Sequence, residues 1–253
     1  MTLIHSRHII IPATLVAILL GAASVAQAQA AAKAPQTPWS AEFAIGWDNS
    51  ISGNINSSGI GVINNQSVVI TKNRYEDVYG TGLNLRFGGG YMLSEVTEVR
   101  GTFTFQSLDA DLTPMGEYGA ARLYGQYSDY QAFSLDVGLR RYRGMSPTVQ
   151  VYGEGLIGLG FVDKTDVTLV APAANLFREA NDFYDQTTAF TFGGNGGVLF
   201  NTGRRTGIFV QAGLRWVSGM SEIDDLEGTG LETINDKSAR WTFPFLIGAR
   251  VRF

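Results

Sequence analysis

The chain ends in RWTFPFLIGARVRF, Arg240 to Phe253. Every second residue is apolar: Trp241, Phe243, Phe245, Ile247, Ala249, Val251 and Phe253. Between them stand Arg240, Thr242, Pro244, Gly248, Arg250 and Arg252. Successive side chains of a strand point to opposite faces, so this alternation describes a strand with one apolar and one polar face.

Seven further segments carry the same period. They are Trp39 to Trp47, Tyr79 to Phe87, Val99 to Phe105, Phe133 to Leu139, Val149 to Phe161, Phe190 to Phe200 and Ile208 to Trp216. Three links between them are tight, around Tyr91–Glu95, Arg143–Pro147 and Asn201–Arg205, and four are long and polar. An even strand number with short turns at one end and long loops at the other is the pattern of a transmembrane β-barrel. A soluble sandwich would also alternate, but has no reason to put every long loop at one end.

An aromatic recurs near the outer end of each apolar face: Trp47, Tyr79, Phe105, Phe133, Phe161, Phe190, Trp216 and Trp241. Amphipathic rings favour the headgroup level, and barrels carry girdles of them. From Tyr79 to Phe87, at ~3.3 Å per residue and a tilt near ~40°, such a face spans roughly 20–25 Å, the height of an outer-membrane apolar band. The expected fold is all-β, an eight-stranded antiparallel up-and-down transmembrane barrel over residues 39–253, with four long outer loops and three short periplasmic turns.

Composition agrees. The 253 residues are 17% charged and 11% aromatic, with 31 glycines and no cysteine. Mean hydropathy is only +0.03, because each apolar lipid-facing residue is averaged against a polar or glycine neighbour. Residues 1–30 read as a cleaved signal peptide: Arg7, an apolar run from Ile9 to about Leu20, then Ala-Gln-Ala sites ending at Ala28 and Ala30. Residues 31–38 read as a disordered lead-in. The only histidines, His5 and His8, lie in the leader, as does Arg7, leaving an acidic mature chain.

On the alternation and the terminal strand, the chain resembles the small eight-stranded outer-membrane barrels of Gram-negative bacteria, the superfamily of the OmpA transmembrane domain, OmpW and the opacity proteins. The resemblance implies that Phe245, Ile247, Ala249, Val251 and Phe253 form the signal read by the outer-membrane assembly machinery. It also implies outer-membrane lipid and lipopolysaccharide as surroundings, with the extracellular ligand unspecified. A monomer that binds no nucleic acid is expected.

Barrel enzymes of this superfamily resemble one another in using histidine, which titrates near neutrality and serves as a general base. The mature chain has none, so a Ser–His–Asp arrangement is impossible and a non-enzyme is expected. Gly88-Gly89-Gly90 and the Gly193–Gly197 cluster are not followed by helices, so they lack the geometry of phosphate loops. Glu222-Ile-Asp-Asp-Leu-Glu227 lacks calcium-loop spacing and reads as a solvated acidic stretch. No cofactor or metal is expected.

The polar faces carry the candidate site. Glu42, Arg86, Glu98, Arg100, Asp136, Arg140, Glu154 and Arg215 point inward by phase, as do Asp48, Arg240 and Arg250. Eight strands enclose an interior just wide enough for side chains to fill. Two readings follow: a paired plug, or a gate across a narrow OmpW-like channel for small or apolar solutes. Inward glycines (Gly80, Gly82, Gly138, Gly158, Gly160, Gly193 and Gly197) leave space for a channel, or else relieve crowding in a tightly coiled barrel. The outer loops are expected to supply an envelope-structural or surface-binding role, with Val68-Val69-Ile70, Ala171–Phe177 and exposed Tyr118, Tyr124, Tyr127 and Tyr130 as contact residues.

Overall fold

A computed structural model describes residues 38–221, 226–235 and 238–253. The expected leader, the lead-in up to 37 and most of the acidic Glu222–Glu227 stretch lie outside the described residues. In chain order the elements are β1 (Trp39–Ser52), β2 (Asn54–Asn56), β3 (Gly59–Ile63), β4 (Gln66–Ile70), β5 (Asn73–Arg74), the one-turn helix α1 (Tyr75–Val78), β6 (Gly82–Met92) and β7 (Thr97–Leu108). There follow β8 (Thr113–Tyr118), β9 (Ala121–Tyr127), β10 (Tyr130–Gly144), β11 (Val149–Val162), β12 (Thr165–Ala171), β13 (Leu176–Tyr184), β14 (Thr187–Asn201), β15 (Thr206–Val217) and β16 (Arg240–Arg252).

The eight long strands close into one antiparallel barrel in the order β1-β16-β15-β14-β11-β10-β7-β6. Every pair but the closing one joins neighbours in sequence, the up-and-down order expected. Closure pairs β1 with β16, setting Phe43 opposite Ala249 and Ile45 opposite Ile247. The first and last described ends meet where the Phe253 amide donates to the Trp39 carbonyl. Three tight turns, at 93–96, 145–148 and 202–205, lie at that end.

The second sheet was not anticipated. Strands from three different long loops pair in the order β13-β12-β9-β8-β4-β3. Its hairpins follow from local chemistry: Asn64 and Asn65, at φ 50° and 60°, form the two-residue turn between β3 and β4. Two successive positive φ angles match the natural twist of a hairpin, and Asn tolerates them. The fourth loop ties the sheet's ends, since the Val62 amide donates to Thr229 and the Asn235 side chain to Phe183.

The loops are therefore not solvated. Val68, Ile70, Met115, Leu123, Val167, Leu169, Phe183, Leu231 and Ile234 are buried together in one apolar core above the barrel. Of the four tyrosines expected to be exposed, Tyr118, Tyr127 and Tyr130 are buried there and only Tyr124 is partly accessible. Alternation within each loop strand puts one row inward. The cap is thus a packed lid built over the barrel mouth.

Candidate functional site

The barrel wall is apolar outside and polar inside. Ile45, Phe87, Leu135, Val137, Leu139, Ile157 and Phe190 are exposed on the outer surface, Val137 at 61%. Facing inward, Glu98, Arg140, Thr191, Arg240 and Arg250 are buried to 2% or less. Exposed apolar surface on this scale is costly in water and favourable in a bilayer, where closed barrels satisfy every strand. This is an eight-stranded barrel of the outer-membrane type. The four long connections then form its extracellular end and the tight turns its periplasmic end.

Seven of the eight expected girdle residues lie on this barrel's outer surface. Phe133 stacks on Phe161 with centroids 4.8 Å apart, and Trp216 sits opposite Trp241 in the register. Tyr79 does not belong with them. It is 2% exposed, precedes β6 and donates from its hydroxyl to the Ser128 carbonyl at 3.1 Å inside the cap. Its phase matched the strand, but α1 turns the chain into the cap core before β6 begins. Gly80 likewise lies outside the barrel wall and faces solvent.

Seven of the eight lumen charges are brought into ion pairs. Glu42 accepts from Arg100 at 2.6 Å and Arg140 at 2.7 Å, with Arg250 at 3.5 Å. Glu154 pairs with Arg100 at 3.1 Å and Arg140 at 3.3 Å. Glu98 takes Arg250 at 2.6 Å, the Ser40 hydroxyl at 2.5 Å and the Tyr142 hydroxyl at 2.6 Å. Arg250 also contacts the Tyr142 hydroxyl. Three carboxylates and three guanidiniums thus form one neutral, interlocked layer. Buried charges persist only when paired and hydrogen-bonded in this way. The layer also touches aromatic side chains: Arg140 lies 4.0 Å from the Tyr152 ring centroid and 5.9 Å from that of Phe209.

Above this layer Arg215 pairs with Asp136 at 2.8 Å, and Thr191 donates to the same oxygen at 2.8 Å. Higher still, Asp48 accepts from Gln106 and from Asn84, while Arg240 stacks 3.8 Å from the Tyr130 ring centroid beneath the cap. Arg86 is the exception: buried among these groups, it forms no ion pair among the described residues. The alternation placed the charges inward but gave no sign of Ser40, Tyr142 or Thr191 as their partners, because a hydroxyl at an inward position looks like any other polar residue.

Three inward-facing glycines lie against charged side chains. A Cβ at Gly88 would lie 2.6 Å from Arg100 Nη2, one at Gly90 2.6 Å from the Glu98 carboxyl carbon, and one at Gly158 2.5 Å from Asp136 Oδ1. The space they leave is occupied by neighbouring charged side chains.

The cap tyrosines respond to pH. Burial pushes the phenols of Tyr75, Tyr79, Tyr127 and Tyr184 above the ordinary tyrosine range. An unfolded phenol loses its proton near pH ~10. The folded state holds that proton longer, so the cap's stability is complete below pH ~10 and falls as pH rises beyond it. Phenolate absorbance is expected to show these tyrosines ionising together at higher pH, with proteolytic cleavage of the cap appearing in the same step. Ionisation of all tyrosines in one step near pH ~10, with the cap intact, would contradict their burial.

No protein-family model and no curated protein sequence matches the chain. Among solved structures, Neisserial surface protein A is similar at TM-score 0.45 and 11% identity, over 87% of this chain and 100% of that one. The outer membrane protein OprG of Pseudomonas aeruginosa is similar at TM-score 0.43 and 11% identity, over 86% and 98%. The outer membrane protease OmpT of Escherichia coli is similar at TM-score 0.39 and 8% identity, over 87% and 99%. Likenesses this distant leave activity to be argued from the residues themselves.

Proposed function

We propose that the protein is a non-conducting, non-enzymatic outer-membrane barrel whose extracellular sheet serves as a rigid binding platform. Double closure of the lumen carries this reading. The Glu42–Arg100–Arg140–Glu154 layer ties β1, β7, β10 and β11 together across the lumen, and the cap core covers the extracellular mouth. A hydrated ion would have to break both. The absence of histidine from the chain after residue 8 removes the usual general base, and none of the described carboxylates is paired with a nucleophile beside an open cleft.

The tips of the three loop hairpins meet around a cleft of about 560 Å³ lined by Asn64, Gln66, Tyr118, Gly119 and Ala173. Loops held on a rigid scaffold are where binding residues concentrate. The outward row Phe245, Ile247, Ala249, Val251 and Phe253 is the segment that the assembly machinery would read, and outer-membrane lipid with lipopolysaccharide would surround a monomeric barrel.

Planar-bilayer recording on refolded protein tests the central point. No stable single-channel steps are expected, and none should appear in Gly88→Ala, which adds bulk to a filled lumen. Regular steps whose size changes when Arg100 or Glu154 is replaced would establish the channel reading instead.

A further inference from the structure

Arg86 poses a problem that the rest of the lumen does not. Its residue is 5% exposed, no carboxylate lies within ion-pair distance among the described residues, and its Nε and Nη1 have no hydrogen-bond partner. A buried guanidinium left in this state is costly. It borders a small cavity shared with Asp136, Asn195, Arg215 and Gly193, of about 10 Å³.

Unpartnered buried acceptors, Asp48 Oδ1, Asn84 Oδ1 and Glu154 Oε1, lie outside the lining of this cavity. Asp136 is the cavity's only carboxylate. Its Oδ1 takes Arg215 and Thr191, both at 2.8 Å, and its Oδ2 takes Ser134 at 3.2 Å. Arg215 Nε has no partner. Thr104, opposite Arg86 in the register, and Thr102, opposite Asp136, both have buried hydroxyls without partners. Two guanidiniums and one carboxylate leave a surplus of one positive charge. In the neighbouring layer three carboxylates are balanced in charge by Arg100, Arg140 and Arg250, although Glu154 Oε1 accepts no hydrogen bond.

We propose that the lumen binds a single small monovalent anion of halide size beside Arg86 and Arg215. Charge sets the valence, since one negative charge neutralises the surplus. Volume sets the size: a cavity of this order holds one water-sized particle. Sulfate, phosphate and carboxylates are too large. Arg86 and Arg215 donate N–H groups to the ion, and Asn195 offers an amide. At Gly193 a Cβ would lie 2.6 Å from the Leu214 carbonyl oxygen, so only glycine lets the two strands approach there. The ion is a structural counter-charge held at the inner side of the barrel wall.

The test refolds the full chain in bromide and crystallises it. An anomalous bromide peak within hydrogen-bond distance of the Arg86 guanidinium is expected. In parallel, unfolding equilibria are compared in potassium chloride or bromide and in potassium glutamate at equal ionic strength. At a halide concentration ten times the dissociation constant, the unfolding equilibrium constant of the wild type is expected to fall about tenfold. Arg86→Met, which removes the surplus charge, is expected to unfold identically in all three salts. A peak absent from the lumen, together with equal wild-type stability in all three salts, would overturn the proposal and leave the cavity to water. If Arg86→Met does not refold, the crystallographic result on the wild type still decides. Conductance is a separate readout: a bromide peak in a conducting barrel would refute the sealed lumen and keep the anion site, and silence without a peak would do the reverse.

Discussion

Glu42→Ala is expected to destabilise the folded barrel by about 3–5 kcal/mol, the range for removing one member of a buried ion network. Its side chain is 3% exposed and lies near three guanidiniums, those of Arg100, Arg140 and Arg250. Without it, Glu98 and Glu154 alone face three positive charges in a site closed to water. Urea unfolding in lipid vesicles, followed by tryptophan fluorescence, reads the effect as a lowered midpoint. Glu42→Gln keeps the shape and loses the charge, so it should fall between alanine and the wild type. A loss below about 1 kcal/mol, the value of solvated surface pairs, would mean that water reaches the layer and that the lumen is open.

Leu231→Ala is expected to open the cap while leaving the barrel intact. Leu231 is fully buried in the fourth loop, between the turn at Thr229 and Ile234, and packs in the cap core. Truncating a buried leucine costs about 2–5 kcal/mol, depending on how far the cavity collapses. A loss of 2 kcal/mol raises the open population roughly thirtyfold. The cap can open alone because local stability varies through a structure and its core is separate from the lumen layer. Native-state proteolysis should accelerate by a similar factor, with cuts at exposed Lys72 and Arg122. The heat-resistant fold of the barrel should persist. Unchanged proteolysis, or simultaneous loss of cap and barrel, would show that the two are not separate layers.

The barrel was legible because the bilayer imposes one rule on every strand. Each outward residue from Phe43 to Val251 faces the same apolar medium, so the period of two survives along the whole chain. The cap was hidden for the opposite reason. Thr165 to Ala171 alternates as cleanly as a barrel strand, and Asn64-Asn65 is a hairpin turn in plain view. Yet β4 pairs with β8, and β9 with β12, across different loops. Period shows that a strand exists; it does not name a partner so distant in sequence. Tyr79 was misplaced by the same limit, since a residue can keep its strand's phase after the chain has left the strand. The ion layer stood between these cases. Inward phase predicted that its charges would meet, but the pairing of Glu98 with Ser40 and Tyr142 depends on strand stagger that the sequence does not display.

The sheet that joins three loops also governs how such a surface can change over generations. A length change inside β4, β8, β9 or β12 would shift the register of a neighbour encoded elsewhere, so it is penalised twice. Asn64–Asn65 and Pro172–Asn175, at the hairpin tips, carry no such ladder partner. Length variation that evades an antibody or a phage is therefore expected at those turns. They are also the places where a foreign peptide can be displayed without disturbing the frame beneath.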